Sequence, residues 1–192
     1  EGQGTATVTA ASVADPTISD TIEVVVDLLG VDEEKLDYLA GLAKDHVVIV
    51  EYGIESCYDA TLQRINRGHD FETARRAVEM TARRGLDVGV HFILGLPGET
   101  RQMMLDACAR INELPVRSIK FHQLQIVKGT AMEKEYEQCP QDFERFSLEE
   151  YLDFFADILE RLRPDIHIER FVGEVPPRFV NETPWGLIRN VE

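Results

Sequence analysis

The run from Gly89 to Arg101, G-V-H-F-I-L-G-L-P-G-E-T-R, constrains this chain more than any other stretch. Val90, Phe92, Ile93 and Leu94 form the apolar pattern of a strand covered on both faces, and Gly95, Pro97 and Gly98 end it where a helix begins. Strands of that kind belong to parallel sheets, whose connections run through helices, so the chain is expected to be α/β. In open or barrel α/β sheets the strand C-termini carry the ligand site, because the loops there gather helix N-termini and free backbone amides beside side chains from several strands.

The chain downstream of residue 31 repeats the same grammar. Asp32 caps a helix in which Leu36, Leu39, Ala40 and Ala43 recur at helical spacing, and Val47 to Val50 follows as a short buried strand. Phe71 to Arg84 reads as a second helix with Ala74, Ala77, Val78 and Thr81 on one face, stopped by Gly85 before the strand ending at Leu94. Met103, Met104, Ala107 and Ile111 mark a third helix closed by Pro115, and Ser118 to Val127 is a further strand. Ser147 and Glu150 form a capping box for a fourth helix, with Leu148, Tyr151, Leu152, Phe155, Ile158, Leu159 and Leu162 in one apolar stripe; Ile166 to Val172 is the last strand. Four parallel strands are half the eight of a closed barrel. The expected fold is therefore a half TIM-type (β/α) barrel, whose apolar inner face calls for self-association or a covering segment.

Residues 1 to 27 have a different composition. Thr5, Thr7, Val8 and Thr9 lie before Asp15-Pro16, and Thr21, Ile22, Val24, Val25 and Val26 after it, which predicts an antiparallel β-hairpin with a longish loop. The stretch T-A-T-V-T-A-A-S-V-A-D-P-T resembles the closing strands of bacterial immunoglobulin-like repeats, which implies a fused or foreign segment. The chain thus divides into an N-terminal hairpin segment, 1–31, and an α/β unit, 32–192. Pro176, Pro177, Pro184 and Trp185 read as an ordered loop along the bottom or edge of the barrel.

Twenty Lys and Arg against 35 Asp and Glu give a net charge of -15, which disfavours whole-chain binding to nucleic acid or to an anionic membrane. Between Thr61 and Arg84, however, six arginines outnumber three acids, and an anionic ligand group has somewhere to sit. Cys57, Cys108 and Cys139 are odd in number and far apart, so neither a disulfide framework nor a C-x-x-C metal site is written here. With no run as long as a membrane span and no signal-peptide pattern at Glu1, a reducing, cytoplasmic setting is expected.

Three polar stretches fall at consecutive strand ends. They are V-E-Y-G-I-E-S (50 to 56), followed by L-Q-R-I-N-R-G-H-D (62 to 70); the G-L-P-G run; and I-K-F-H-Q-L-Q-I-V-K-G-T (119 to 130). Singly, each has an ordinary structural explanation, such as a strand-end acid, an edge histidine or a turn. Three of them on one rim favour a ligand site.

Together these residues resemble the C-terminal half of the radical S-adenosylmethionine (SAM) domain, on the branch related to oxygen-independent coproporphyrinogen oxidase and the Elp3-like proteins. The resemblance runs from about Asp32 to Glu192. It implies a partial (β/α)6 barrel, SAM as cofactor, and a [4Fe-4S] cluster whose reduction of SAM releases a 5'-deoxyadenosyl radical for hydrogen abstraction from a substrate the sequence does not identify. Carried over by motif, Glu55 corresponds to a contact to the SAM ribose or amino group, Arg67 to the partner of its carboxylate and His91 to a polar contact to ribose. Ile93, Gly95 and Leu96 correspond to the adenine-binding backbone, and Gln123, Gln125 and Val127 lie on the next strand, which completes the adenine pocket. The family's C-x3-C-x2-C cluster loop does not occur in the chain, and the three cysteines cannot replace it at their spacings. The resemblance therefore implies half a SAM pocket without an iron site, in a chain inactive by itself; the alternative is a non-catalytic structural or interaction module.

Overall fold

Among the described residues, five of the six α-helices begin where the sequence supplies a side-chain cap. Asp32, Asp70, Thr100, Thr130 and Ser147 each accept from a backbone amide three residues on. The helices are α1 (Glu33–Leu42), α2 (Asp59–Arg64), α3 (Phe71–Ala82), α4 (Arg101–Asn112), α5 (Ala131–Gln138) and α6 (Leu148–Arg161). At α6 the expected capping box is complete, with Glu150 reaching back to the Ser147 amide. The strands are β1 (Gln3–Ala11), β2 (Ser19–Asp27), β3 (Val47–Glu55), β4 (Asp87–Leu94), β5 (Ser118–Gln123) and β6 (His167–Arg170). This computed structural model describes residues 3–11, 19–27, 32–173, 175 and 177–180; the Asp15-Pro16 turn and Pro176, Pro184 and Trp185 of the tail lie outside the described residues.

The strands form one sheet in the order β2-β1-β3-β4-β5-β6. β3 to β6 are parallel, as expected of a half-barrel. β1 and β2 form the expected hairpin, and β1 also pairs antiparallel with β3, Val8 opposite Val50 and Ala11 opposite Val47. The hairpin therefore lengthens the sheet.

Strand alternation sorts the side chains. Val48, Val50 and Ile54 of β3, Val88, Val90, Phe92 and Leu94 of β4, and Ile119 and Phe121 of β5 are buried among the helices. Most of them join Val78, Ile111, Tyr151, Phe155 and Ile158 in one core, while Val48 and Val50 pack with Leu36 and Leu39 of α1. The opposite face departs from expectation. Instead of an apolar patch it carries Glu51, His91, Lys120, His122 and Glu169, joined by the ion pairs of Lys120, a hydrogen bond between His91 and Glu51 and a ring contact.

Two further differences have local causes. β5 stops at Gln123 rather than Val127, because Leu124 and Ile126 turn to pack with Leu96 and Phe143 beyond the sheet end, and Val127 bridges Val180 instead. Leu152 and Leu159 of the expected α6 stripe are exposed (57% and 45%), since the sheet covers a narrower arc of the helix around Tyr151, Phe155 and Ile158.

Candidate functional site

The C-terminal strand ends lie along one edge of the sheet: Glu55, after a register shift past Gly53, pairs with Phe92, and Leu94 pairs with Gln123. Arg67 reaches this edge from the turn after α2, where Asn66 (φ 54°) and Gly68 (φ 81°) reverse the chain. Its Nη2 donates to the Gly53 carbonyl at 2.6 Å and stands 3.7 Å from Glu55 Oε1. Its Nε is buried and has no hydrogen-bond partner among the described residues. A buried guanidinium N–H left unpaired is costly, and a carboxylate would satisfy it. Glu55 is itself in the left-handed region (φ 68°), and burial raises its carboxyl pKa against the opposing charge of Arg67. Gly53 leaves room for both groups: a Cβ there would displace the Glu55 carboxyl and lie 2.7 Å from Arg67 Nη2.

A second polar layer crosses four strands. His91 Nε2 donates to Glu51 Oε2 at 3.3 Å, the Lys120 ammonium donates to Glu51 Oε1, and Lys120 Nζ stands 3.3 Å from Glu169 Oε2. The hydrogen bond from His91, and then Lys120, bring the Glu51 carboxyl down to about 2. His122 lies against the His91 ring, centroids 5.6 Å apart. Burial and the neighbouring His91, Arg170 and Lys120 lower its pKa to about 4, so it is neutral at neutral pH.

The G-L-P-G turn is covered from above. A Cβ on Gly95 (φ 87°) would lie 2.8 Å from the Glu144 carbonyl oxygen, so the close approach that requires glycine is made by the chain's own backbone. Gly98 N donates to the Asp142 carbonyl at 2.7 Å, and Arg64 holds Glu135 and Asp142 at 2.6 Å each. Leu96 is buried with Leu124, Ile126 and Phe143, and Ile93 packs against them.

Of the residues singled out from sequence, Glu55, Arg67 and His91 come together, with the Ile93, Gly95 and Leu96 backbone at the same edge. Gln123 shares the strand parity of Phe121, on the helix-covered face, and its amide clamps Gly173 through bonds of 3.0 and 2.8 Å. Gln125 and Val127, expected on β5, lie past its end. Most of the arginine surplus is taken up by ion pairs: Arg84 pairs with Glu33 and Asp37 and Arg64 with Glu135 and Asp142, acids from outside the stretch, while Arg75 pairs with Glu72 and Glu79 within it.

Sequence reasoning missed Lys120 and the pairing of Glu99 with Ser56. Glu99 is 5% exposed and accepts from the Ser56 hydroxyl, tying the end of β3 to the start of α4; burial raises its pKa against the hydrogen bonds from Ser56 and Thr61. Both residues lie inside motifs that were recognised, E-S and G-E-T, but a linear pattern does not say that they meet.

An iron-sulfur cluster does not fit the residues present. Cys57 and Cys108 are buried on the helix side, where burial lifts their thiols to about 12 and about 11, and Cys139 closes α5. Among the described residues no three His, Cys, Asp or Glu are grouped to hold a metal ion. No described helix is long and apolar enough to cross a membrane.

The protein YtqA of Bacillus subtilis is 33% identical over 155 residues, which cover 81% of this chain and 48% of that protein. The chain thus spans about half the length of the curated relatives it matches. Two solved structures share its fold. Elp3 of Methanocaldococcus infernus aligns with a TM-score of 0.62 at 20% identity over 69% of this chain and 31% of that one. Coproporphyrinogen III oxidase (HemN) of Escherichia coli, described as a radical SAM enzyme, aligns with a TM-score of 0.55 at 18% identity over 70% and 30%. The radical SAM C-terminal domain model matches residues 116–191, and the superfamily model matches residues 9–111, from within β1 to the end of α4. A match across more than half the chain, on a sheet whose C-terminal edge assembles Glu55, Arg67 and His91, places this chain in the radical SAM superfamily.

Proposed function

We propose that this chain provides the SAM-binding edge of a radical SAM barrel and does not by itself hold the cluster that cleaves SAM. The reading rests chiefly on Arg67, whose buried, unpartnered Nε sits beside Glu55 at the strand ends and calls for an anionic group. In this reading Arg67 holds the SAM carboxylate. Glu55, backed by that arginine, accepts from the ribose or amino group, His91 contacts the ribose, and the main chain of Ile93, Gly95 and Leu96 lines the base. When bound to a reduced cluster, SAM supplies a carbon-centred radical that takes hydrogen from a substrate; Cys57, Cys108 and Cys139 do not provide such a cluster's thiolates. The hydrogen-abstracting activity therefore belongs to an assembly that also contains three suitably spaced cysteines.

Without the iron as an anchor for the methionine amino and carboxylate groups, the remaining contacts are one charge-assisted pair, a few hydrogen bonds and an apolar slot. Part of their yield is lost in immobilising a flexible ligand. Millimolar affinity, about -4 kcal/mol, is expected. Calorimetry of the purified chain with SAM tests this, with Arg67→Ala expected to abolish the heat. Submicromolar binding, or reductive SAM cleavage after iron-sulfur reconstitution, would overturn the reading.

A further inference from the structure

Glu51 has no role in the SAM-binding reading, yet it is the acceptor on which the polar layer of the inner sheet face converges. Its carboxylate takes Lys120 on one oxygen and His91 Nε2 on the other, and Lys120 is braced from β6 by Glu169. The arrangement depends on an absent side chain. Glu51 lies across β4 at Gly89, where a Cβ would sit 3.2 Å from Glu51 Cγ and 3.1 Å from Ser118 Oγ. A side chain at 89 would crowd the Glu51 stem, which would have to give by a few tenths of an ångström to keep its carboxylate between His91 and Lys120.

The chemistry of the pair fixes a proton. An ionised carboxylate only accepts, so the His91 nitrogen bonded to it carries the hydrogen. The other nitrogen, Nδ1, has no hydrogen-bond partner among the described residues, and the adjacent His122 ring is neutral at neutral pH. We propose that Glu51 is a positioning residue of the cofactor site: braced by Lys120, it holds His91 as the Nε2–H tautomer and leaves Nδ1 as the acceptor for a ribose hydroxyl. The hydrogen on Nε2 follows from its bond to the ionised Glu51 carboxylate, whereas the ribose contact rests on the SAM-binding reading above.

Substituting Glu51→Gln separates the two. Lys120 needs an acceptor and will hold the amide oxygen, so the amide NH2 turns toward His91. Nε2 must then accept, and the proton moves to Nδ1, where it blocks the acceptor. Long-range nitrogen NMR of the imidazoles at neutral pH, with SAM titrated into the same samples, reads both effects. The expected result is an Nε2–H ring in the wild type, an Nδ1–H ring in the variant, and SAM binding weakened about tenfold in the variant.

An Nδ1–H or doubly protonated ring in the wild type would overturn the proposal, as would a variant with unchanged tautomer and unchanged affinity. If the wild type binds no SAM, the SAM reading fails, and the spectra still decide the role of Glu51. Should the Gln variant not fold, Glu51→Asp, too short to cross Gly89, is expected to release the ring into a tautomer mixture; a ring still held as Nε2–H would refute the assignment.

Discussion

Replacing Arg67 with lysine separates charge from shape. Lysine keeps the positive charge but cannot offer two parallel N–H groups to a carboxylate while a third holds the Gly53 carbonyl. SAM affinity in Arg67→Lys is expected to fall several-fold and to remain measurable by calorimetry, whereas Arg67→Ala should show no heat. The buried polar layer should also appear in acid unfolding. In the fold His122 drops from 6.5 to about 4 and Glu51 from 4.5 to about 2, so for both groups the unfolded chain is the better proton acceptor. Stability should fall as pH drops from 6.5 toward 4 through His122, and again from 4.5 toward 2 through Glu51. Denaturant titrations across that range should find the upper part of the slope missing in His122→Gln; an unchanged slope would contradict a buried neutral ring. At this scale the sequence was informative where one motif carries its own geometry, as where Arg67, in the turn after α2, meets Glu55 at the end of β3. It was silent where function comes from reach, since Glu51 meets Lys120 only because Gly89 lets it cross an intervening strand.

Caps and periodicity made the long helices and buried strands legible as elements. α2 and α5 went unread, one having six residues and no side-chain cap, the other no buried residue to give it an apolar stripe. The end of β5 was unreadable for a related reason. Leu124 and Ile126 continue the apolar alternation of a strand, and only the presence of Phe143 above Leu96 decides that they leave the sheet. Two substitutions test how the elements are held. Ser147→Ala removes one half of a complete capping box and should cost about 1 kcal/mol in urea unfolding. Gly95→Ala should cost more, about 1–3 kcal/mol, because it places a side chain at φ 87° against the Glu144 carbonyl and so loosens the segment that covers the G-L-P-G turn. Near-wild-type stability for Gly95→Ala would mean that this covering segment is not seated as described.

For the molecule as a whole, the half-barrel was legible from the alternation of helices and strands, but the character of its inner face was not. An apolar lining was expected because barrel interiors are packed, and Glu51, His91, Lys120, His122 and Glu169 replace it with a charged one. The apolar-patch reason for self-association falls away with it. The placement of the hairpin carries a kinetic consequence. β3, β4 and β5 each pair with the next strand along the chain, so the parallel part can assemble by successive closure of moderate loops. The β1–β2 hairpin closes locally, and β1 must then find β3 across α1, with its ladder already half filled by β2. Docking of the hairpin is therefore expected to follow the rate-limiting step. Ala10→Pro, which removes a donor from a strand paired on both sides, should speed unfolding in stopped-flow experiments while leaving the refolding rate of the β3–β6 core nearly unchanged. A matching slowdown in refolding would place the hairpin in the nucleus, so that the sheet would grow from its antiparallel edge inward.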